Sequence, residues 1–227
     1  MSTIKMLIGL CVLSGAVYTQ AAQMIYNAND EFSLASNPNG VWTYGYSDFA
    51  TVRDGTTEYA FSTNWTSRAP IANVDSWQQS DAVTDPAVTH NASGAPVIAF
   101  GFTWGVNEIG LDSYGGNTII QWTAPRAGTV VVDAIFGASA ADVYEGFNGV
   151  PLKGAQNGGG TTWSDTFTVQ AGDSISFAAV TALQGTVTMF RETVTYQVVP
   201  EPSAAVLAVM GAISLVAARR KRTTAAV

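Results

Sequence analysis

The residues able to do chemistry are few in kind. The chain has one histidine, His90, in Val-Thr-His-Asn-Ala, and one cysteine, Cys11. A Ser-His-Asp relay needs its base within reach of a nucleophile. No G-x-S-x-G turn is present, and His90 reads as a loop histidine. One histidine and one cysteine cannot complete a tetrahedral zinc site. Carboxylates are plentiful, and a glycosidase needs two of them at a defined separation. Glu108, Asp112 and Glu145 fall near expected strand ends. Many other pairs are open, however, and these three read first as solubilising charges on a chain with few lysines. No catalytic constellation stands out, so the chain is expected not to be an enzyme and to need no cofactor.

Two clusters are rich in the hard oxygen donors that calcium takes. One is Asn27, Asn29, Asp30 and Glu31; the other is Asp112-Ser113-Tyr114-Gly115-Gly116-Asn117. Neither has the alternating spacing of an EF-hand loop. Sugars stack on exposed aromatic faces, and the chain has six tryptophans. Trp42, Trp122 and Trp163 sit on strand patterns and read as core. Trp65 and Trp77 lie in a loose polar stretch and are the candidates for sugar contact.

The elements that must position these residues are strands. Thr, Val, Gly and aromatic residues dominate, turn signals recur, and no stretch of a dozen residues holds a helical period, which is an all-β pattern. Thr162–Val169 alternates, with Trp163, Asp165, Phe167 and Val169 on one face. Ser174–Val180 and Gly128–Phe136 alternate in the same way. Asn148-Gly149 inside 142–150 predicts a type I′ hairpin. In the last strand, expected over 185–198, Phe190, Val194, Tyr196 and Val198 leave a gap in the alternation, so a bulge is expected near 189–192. Earlier strands are expected at 41–46, 59–62, 97–102 and 118–123, with long loops and short strands from Thr63 to Ser93. Short strands with long connections fit a two-sheet sandwich of jelly-roll type.

Both ends read as targeting segments. Residues 1–22 have Lys5, a 12-residue apolar stretch from Met6 to Val17 and small residues at 21 and 22, as in a secretory signal peptide. Residues 23–198 form the body, which carries 16 acidic and five basic side chains up to Val199. That balance disfavours a nucleic-acid partner. Residues 199–227 form a tail in three parts. Residues 199–203, Val-Pro-Glu-Pro-Ser, are an extended stretch, with Ser203 able to cap a helix. Residues 204–218 carry no charge and would make a helix of about 22 Å, short for a hydrocarbon core of about 30 Å. Residues 219–222 are Arg219, Arg220, Lys221 and Arg222, which the positive-inside rule keeps cytoplasmic.

With Pro200, Glu201 and Pro202 ahead of a short apolar span and a basic end, the tail resembles the PEP-CTERM sorting signal. That resemblance implies export, transient anchoring by a C-terminal transmembrane helix, and recognition of Pro200, Glu201 and Pro202 by an exosortase-like processing enzyme. An ordinary tail anchor is the alternative. The body resembles galactose-binding-like jelly rolls at Asn39-Gly40-Val41-Trp42, at Ile120-Gln121-Trp122-Thr123-Ala124-Pro125 with Ala127-Gly128-Thr129, and at Asn148-Gly149 followed by Ala171-Gly172-Asp173. By analogy with those domains a structural calcium is expected to be available to it. The expectation is therefore a non-enzymatic cell-surface or extracellular-matrix protein. A carbohydrate-binding module that meets extracellular polysaccharide is the alternative, and a polysaccharide-acting hydrolase is the third reading.

Overall fold

The computed structural model describes residues 22–47, 62–63, 65–79, 86–106, 108–113, 116–180 and 186–198. The expected leader, apart from Ala22, and the expected tail 199–227 lie outside these. So do Pro200, Glu201, Pro202, Arg219, Arg220, Lys221 and Arg222. Among the described residues no helix is long and apolar enough to cross a membrane.

Every regular element described is a strand. In chain order they are β1 (Gln23–Tyr26), β2 (Trp42–Ser47), β3 (Thr66–Ile71), β4 (Val74–Gln78), β5 (Ala87–Asn91), β6 (Val97–Ala99), β7 (Phe102–Trp104), β8 (Ile109–Asp112), β9 (Asn117–Thr123), β10 (Gly128–Phe136), β11 (Asp142–Phe147), β12 (Val150–Ala155), β13 (Thr162–Val169), β14 (Ser174–Val180) and β15 (Val187–Val198). One sheet runs β13-β10-β15-β8-β5-β4-β3, with β1 also pairing β15; a second runs β12-β11-β14-β9-β2; β6 and β7 pair only with each other. From β8 to β15 the chain changes sheet at every connection except β11 to β12. This is the crossing pattern of a jelly-roll sandwich.

The alternation expected from the sequence is what closes the two sheets on each other. On β10, Val130, Val132, Ala134 and Phe136 are buried together with Ile120 and Trp122 of β9 and Phe177 of β14. Rings meet across the interface at Phe177–Phe190, 5.1 Å between centroids, and at Trp122–Tyr196, 5.8 Å. Burial of large apolar side chains contributes roughly 1.5–3 kcal/mol each. A body without cysteine depends on that term.

The strand β15 corrects one expectation. Its pairing with β10 is regular from Phe190 to Val198, with no bulge. The gap in the apolar pattern is Glu192, which faces inward and is buried. The opposite edge of β15 is shared: β8 pairs at residues 187–190 and β1 at 194–197. Glu192 stands between those two partners. The bulge lies instead in β12, where Glu145 pairs with Lys153 and Gly146 with Pro151, leaving Leu152 extra.

Two further expectations change. The single strand expected over 97–102 is a hairpin, β6 and β7, folded at Phe100 and Gly101 with φ of 52° and 84°. The stretch from Thr63 to Ser93 supplies three strands of the larger sheet, β3, β4 and β5, with a turn at Ala72-Asn73, both at positive φ. The hairpin expected at Asn148-Gly149 is present, with φ of 49° and 80°.

Candidate functional site

The β6–β7 hairpin lies on the outer face of the larger sheet. Alternation explains why it can. Trp77 and Val88 face the sandwich interior, so Val74 of β4 and Val187 and Met189 of β15 face outward, and they pack with Ala99, Phe102 and Trp104 of the hairpin. Trp104 is the anchor: it is 1% exposed and donates its indole N–H to Thr89 Oγ1 at 3.1 Å. Gly110 makes room for it.

At the tip of this hairpin the chain presents an aromatic ring to solvent. Phe100 is 60% exposed, and its ring meets Trp104 edge-on at 6.3 Å. Ile98 is 80% exposed on the same hairpin. Beside the tip is an open groove of about 430 Å³, with Phe102, Val187 and Met189 as apolar lining and Thr103, Ser139 and Thr186 as hydroxyl lining. Ser139 Oγ lies 2.8 Å from Thr188 Oγ1. An exposed ring one residue from the groove-lining Gly101, with hydroxyl residues along the wall, suits a neutral, hydroxyl-rich ligand, since pyranose C–H faces stack on aromatic rings and hydroxyls exchange hydrogen bonds.

The tryptophans chosen from the sequence are elsewhere. Trp65 and Trp77 are each 7% exposed and belong to the main core. Trp65 stacks on Tyr46, with centroids 5.8 Å apart and planes 7° from parallel, and Trp77 donates its N–H to Ser33 O at 2.8 Å. Neither offers a free face to a sugar. The polar composition of 63–93 suggests long loops with short strands; the polar residues lie largely in those strands, and Ser76 and Gln78 are themselves buried.

The calcium candidates differ from each other. In the second cluster, Tyr114 and Gly115 lie outside the described residues, while the Asp112 carbonyl accepts a bond from Thr118 and Asn117 donates to Ser47 Oγ at 2.9 Å. In the first, Asn27 Oδ1 accepts from the N–H groups of Asn29 and Asp30 at 3.0 and 3.2 Å, and Asn27 donates to Glu192 O at 2.6 Å. Glu192 itself accepts the Ala28 N–H. Burial pushes the Glu192 carboxyl up to about 7; the Ala28 N–H opposes the shift, and the charges of Asp30 and Glu31 add to it. Burial likewise raises Glu31. Among the described residues the buried Asn29 Oδ1 atom has no hydrogen-bond partner. Surplus buried oxygen of this kind matches the donors of a hard divalent cation. No three Asp, Glu, His or Cys side chains converge as a metal cluster among the described residues. The set therefore fits calcium in donor type, through amides and Glu192, which sequence spacing could not join to a turn some 160 residues earlier.

His90 is on β5 rather than in a loop. Its Nδ1 lies 2.8 Å from Asp75 Oδ1, and the Phe32 ring stacks on it. Among the described residues the imidazole meets a carboxylate and an aromatic ring, not a hydroxyl nucleophile. Glu108 is paired with Arg191 and accepts the Gly105 N–H. Glu145 is not a surface charge: it faces inward on β11 and is fully buried.

No known protein family's sequence pattern matches the chain, and no curated protein matches it. Among solved structures, the chain is similar to the C-terminal family 6 carbohydrate-binding module of a marine laminarinase from Zobellia galactanivorans, at 16% identity and a TM-score of 0.25, over 38% of this chain and 78% of that one. It is similar to a family 35 carbohydrate-binding module from Clostridium thermocellum, at 11% identity and a TM-score of 0.25, over 66% and 97%. It is also similar to the carbohydrate-binding module CBM36 in complex with calcium and xylotriose, at 19% identity and a TM-score of 0.23, over 39% and 78%. Scores this low carry no argument about function.

Proposed function

We propose that this chain is an exported, non-enzymatic cell-surface or matrix protein whose sandwich body binds neutral polysaccharide. The observation that carries the binding reading is Phe100, held in solvent at the tip of a tight hairpin beside a hydroxyl-lined groove. With Ile98, 80% exposed on the same hairpin, the 60% exposed Phe100 makes an apolar patch that a ligand would cover. The acidic body favours a neutral partner over an anionic polymer. The export and sorting part rests on the leader and on the tail with Pro200, Glu201 and Pro202, and assigns the tail to an exosortase-like enzyme after passage to the membrane. A structural calcium at Asn27, Asn29, Glu31 and Glu192 belongs to the same reading.

Affinity electrophoresis against neutral plant and bacterial polysaccharides tests the binding. Retardation by at least one polymer is expected, and Phe100→Ala should abolish it without changing the denaturation midpoint. Equal retardation of the variant would move the site away from the hairpin. Removal of Val199–Val227 should redirect the protein within its cell and leave the body folded; a truncated body that fails to fold sinks the sorting reading.

A further inference from the structure

At one side of the sandwich the two sheets end in β12 and β13, the edge strands of the smaller and larger sheet. Open edges are commonly guarded by charges that point inward. Here three such charges meet. The β12 bulge sets Lys153 directly across from Glu145 of β11, and Asp165 faces the interior of β13 between Trp163 and Phe167. Lys153 Nζ lies 2.9 Å from Glu145 Oε2 and also contacts Asp165 Oδ2. The same nitrogen stands 5.1 Å from the centre of the Trp163 ring. Aromatic pairs close the flanks: Phe136 with Trp163 at 5.1 Å, and Phe147 with Phe167 at 5.5 Å. Val132 pairs with Asp165 from the strand behind.

We propose that Lys153 and Asp165 are joined by a self-formed amide bond between their side chains, with Glu145 as the catalytic residue that moves the proton. The Lys153 ammonium first passes one proton through Glu145 to the Asp165 carboxylate, leaving a neutral amine and acid. The amine nitrogen then attacks Cγ of Asp165, forming the C–N bond, and gives a second proton to Glu145. Glu145 returns the proton to the departing carboxyl oxygen, the C–O bond breaks and water leaves. An ammonium and a carboxylate thus become an amide and one water. Glu145 ends as it began, and no oxidant, nucleotide or second enzyme enters the balance.

Three features favour the step. Against the effect of burial, Asp165 and Glu145 together favour the Lys153 ammonium, and Glu145, 2.9 Å away, is placed to take the proton that must leave before the amine can react. The strands hold nucleophile and carbonyl in contact, which replaces a bimolecular encounter by an effective concentration that can reach about 10⁵ M or more. Glu145 is 1% exposed while Lys153 and Asp165 are 31% and 34% exposed, so the shuttle is shielded and the product water has an exit. Burial raises the Glu145 carboxyl to about 7, with Lys153 opposing and Asp165 adding, so both its forms are at hand near neutral pH. The chain has no cysteine after residue 11, so no disulfide can staple this edge.

Mass spectrometry of the exported full chain decides it. With the bond, the intact mass falls below that of the processed sequence by one water, about 18 Da. Trypsin then leaves Lys153 uncut, so that 127–191 appears as one peptide lacking one water. Lys153→Arg should restore the full mass. Full mass together with cleavage after Lys153 in the unaltered protein overturns the proposal. For the role of Glu145, Glu145→Gln and Glu145→Asp are compared, with circular dichroism as the check of folding. A folded Gln variant that keeps the full mass supports proton transfer by Glu145. A bond formed to completion in it removes Glu145 from the chemistry. If the Gln variant does not fold, slower bond formation in the Asp variant takes its place as the supporting result.

Discussion

The indole of Trp104 rests against the bare backbone of Gly110: a Cβ at that glycine would come within 2.8 Å of the indole nitrogen and 2.3 Å of Thr89 Oγ1. The second contact is with a β-branched side chain on the neighbouring strand, and the Val187 side chain, at 2.9 Å, closes the third direction. Nothing nearby can give way cheaply. Gly110→Ala is expected to destabilise the body by about 1–3 kcal/mol, the usual cost of overpacking, and to lift the β6–β7 hairpin. Urea denaturation reads the first effect. Loss of polysaccharide retardation reads the second.

Trp77→Ala should behave oppositely to Phe100→Ala. Truncating a buried tryptophan leaves a cavity and costs about 3–5 kcal/mol. It also orphans the Ser33 carbonyl that the indole N–H now satisfies. An exposed ring carries no such cost, and Phe100→Ala should stay within about 0.5 kcal/mol of the parent. Denaturant midpoints of the two variants separate a core role from a surface one.

The buried acid Glu192 makes stability depend on pH. Its folded value, about 7, stands above the ordinary 4.5, so the folded chain binds the proton more tightly than the unfolded one. Its contribution is whole below pH 4.5 and is lost as pH rises through 7, to at most about 3 kcal/mol. Thermal midpoints should therefore fall between pH 5 and pH 8. Glu192→Gln should flatten that slope, and Glu145, raised for the same cause, supplies the remainder.

If calcium occupies the turn at Asn27 to Glu31 with Glu192, it binds the ionised carboxylate and competes with the proton. Millimolar calcium should raise the thermal midpoint more at pH 8 than at pH 5, and chelation should reverse the gain. Magnesium, which demands tighter octahedral geometry, should do less. An equal response at both pH values would detach Glu192 from the ion.

Lys153→Arg keeps the charge and removes the proposed covalent link. The bond would close a loop between positions 12 apart. A cross-link over a loop of that size is worth about 3 kcal/mol by chain entropy. The variant should melt lower by a corresponding amount, and the difference should persist in high salt, which screens a plain ion pair.

Much of this architecture was legible in the residues. β10 and β13 alternate cleanly because each has one face against the other sheet, while β14 is buried on both faces, and Asn148-Gly149 demands the turn it makes. The misreadings share a cause: polar residues placed inside. Glu192 interrupted an apolar series and suggested a bulge, when the strand is straight and the acid is buried. Asp75, Ser76 and Gln78 give β4 the composition of a loop, though both faces of that strand are covered, and this is why Trp77, a surface candidate by sequence, is core. Ala72-Asn73 makes a turn of the kind that Asn-Gly advertises, without the glycine that would announce it. The groove could not be foreseen, because it depends on a hairpin bending back over the outside of a sheet formed by strands distant in sequence. Asp165 was visible on the inward face of its strand, but its meeting with Lys153 and Glu145 needs two strands from the other sheet.

The course of β15 also has a mechanical meaning. It is the last strand of the body, hydrogen-bonded to β10 along nine residue pairs on one side and to β8 and β1 on the other. A tug on the chain beyond Val198 would load these ladders lengthwise, in shear, so that many bonds must give at once instead of one after another. A protein held at a surface by its carboxyl end, and gripping a polymer through its hairpin, would thus carry tension along a strand bonded on both sides.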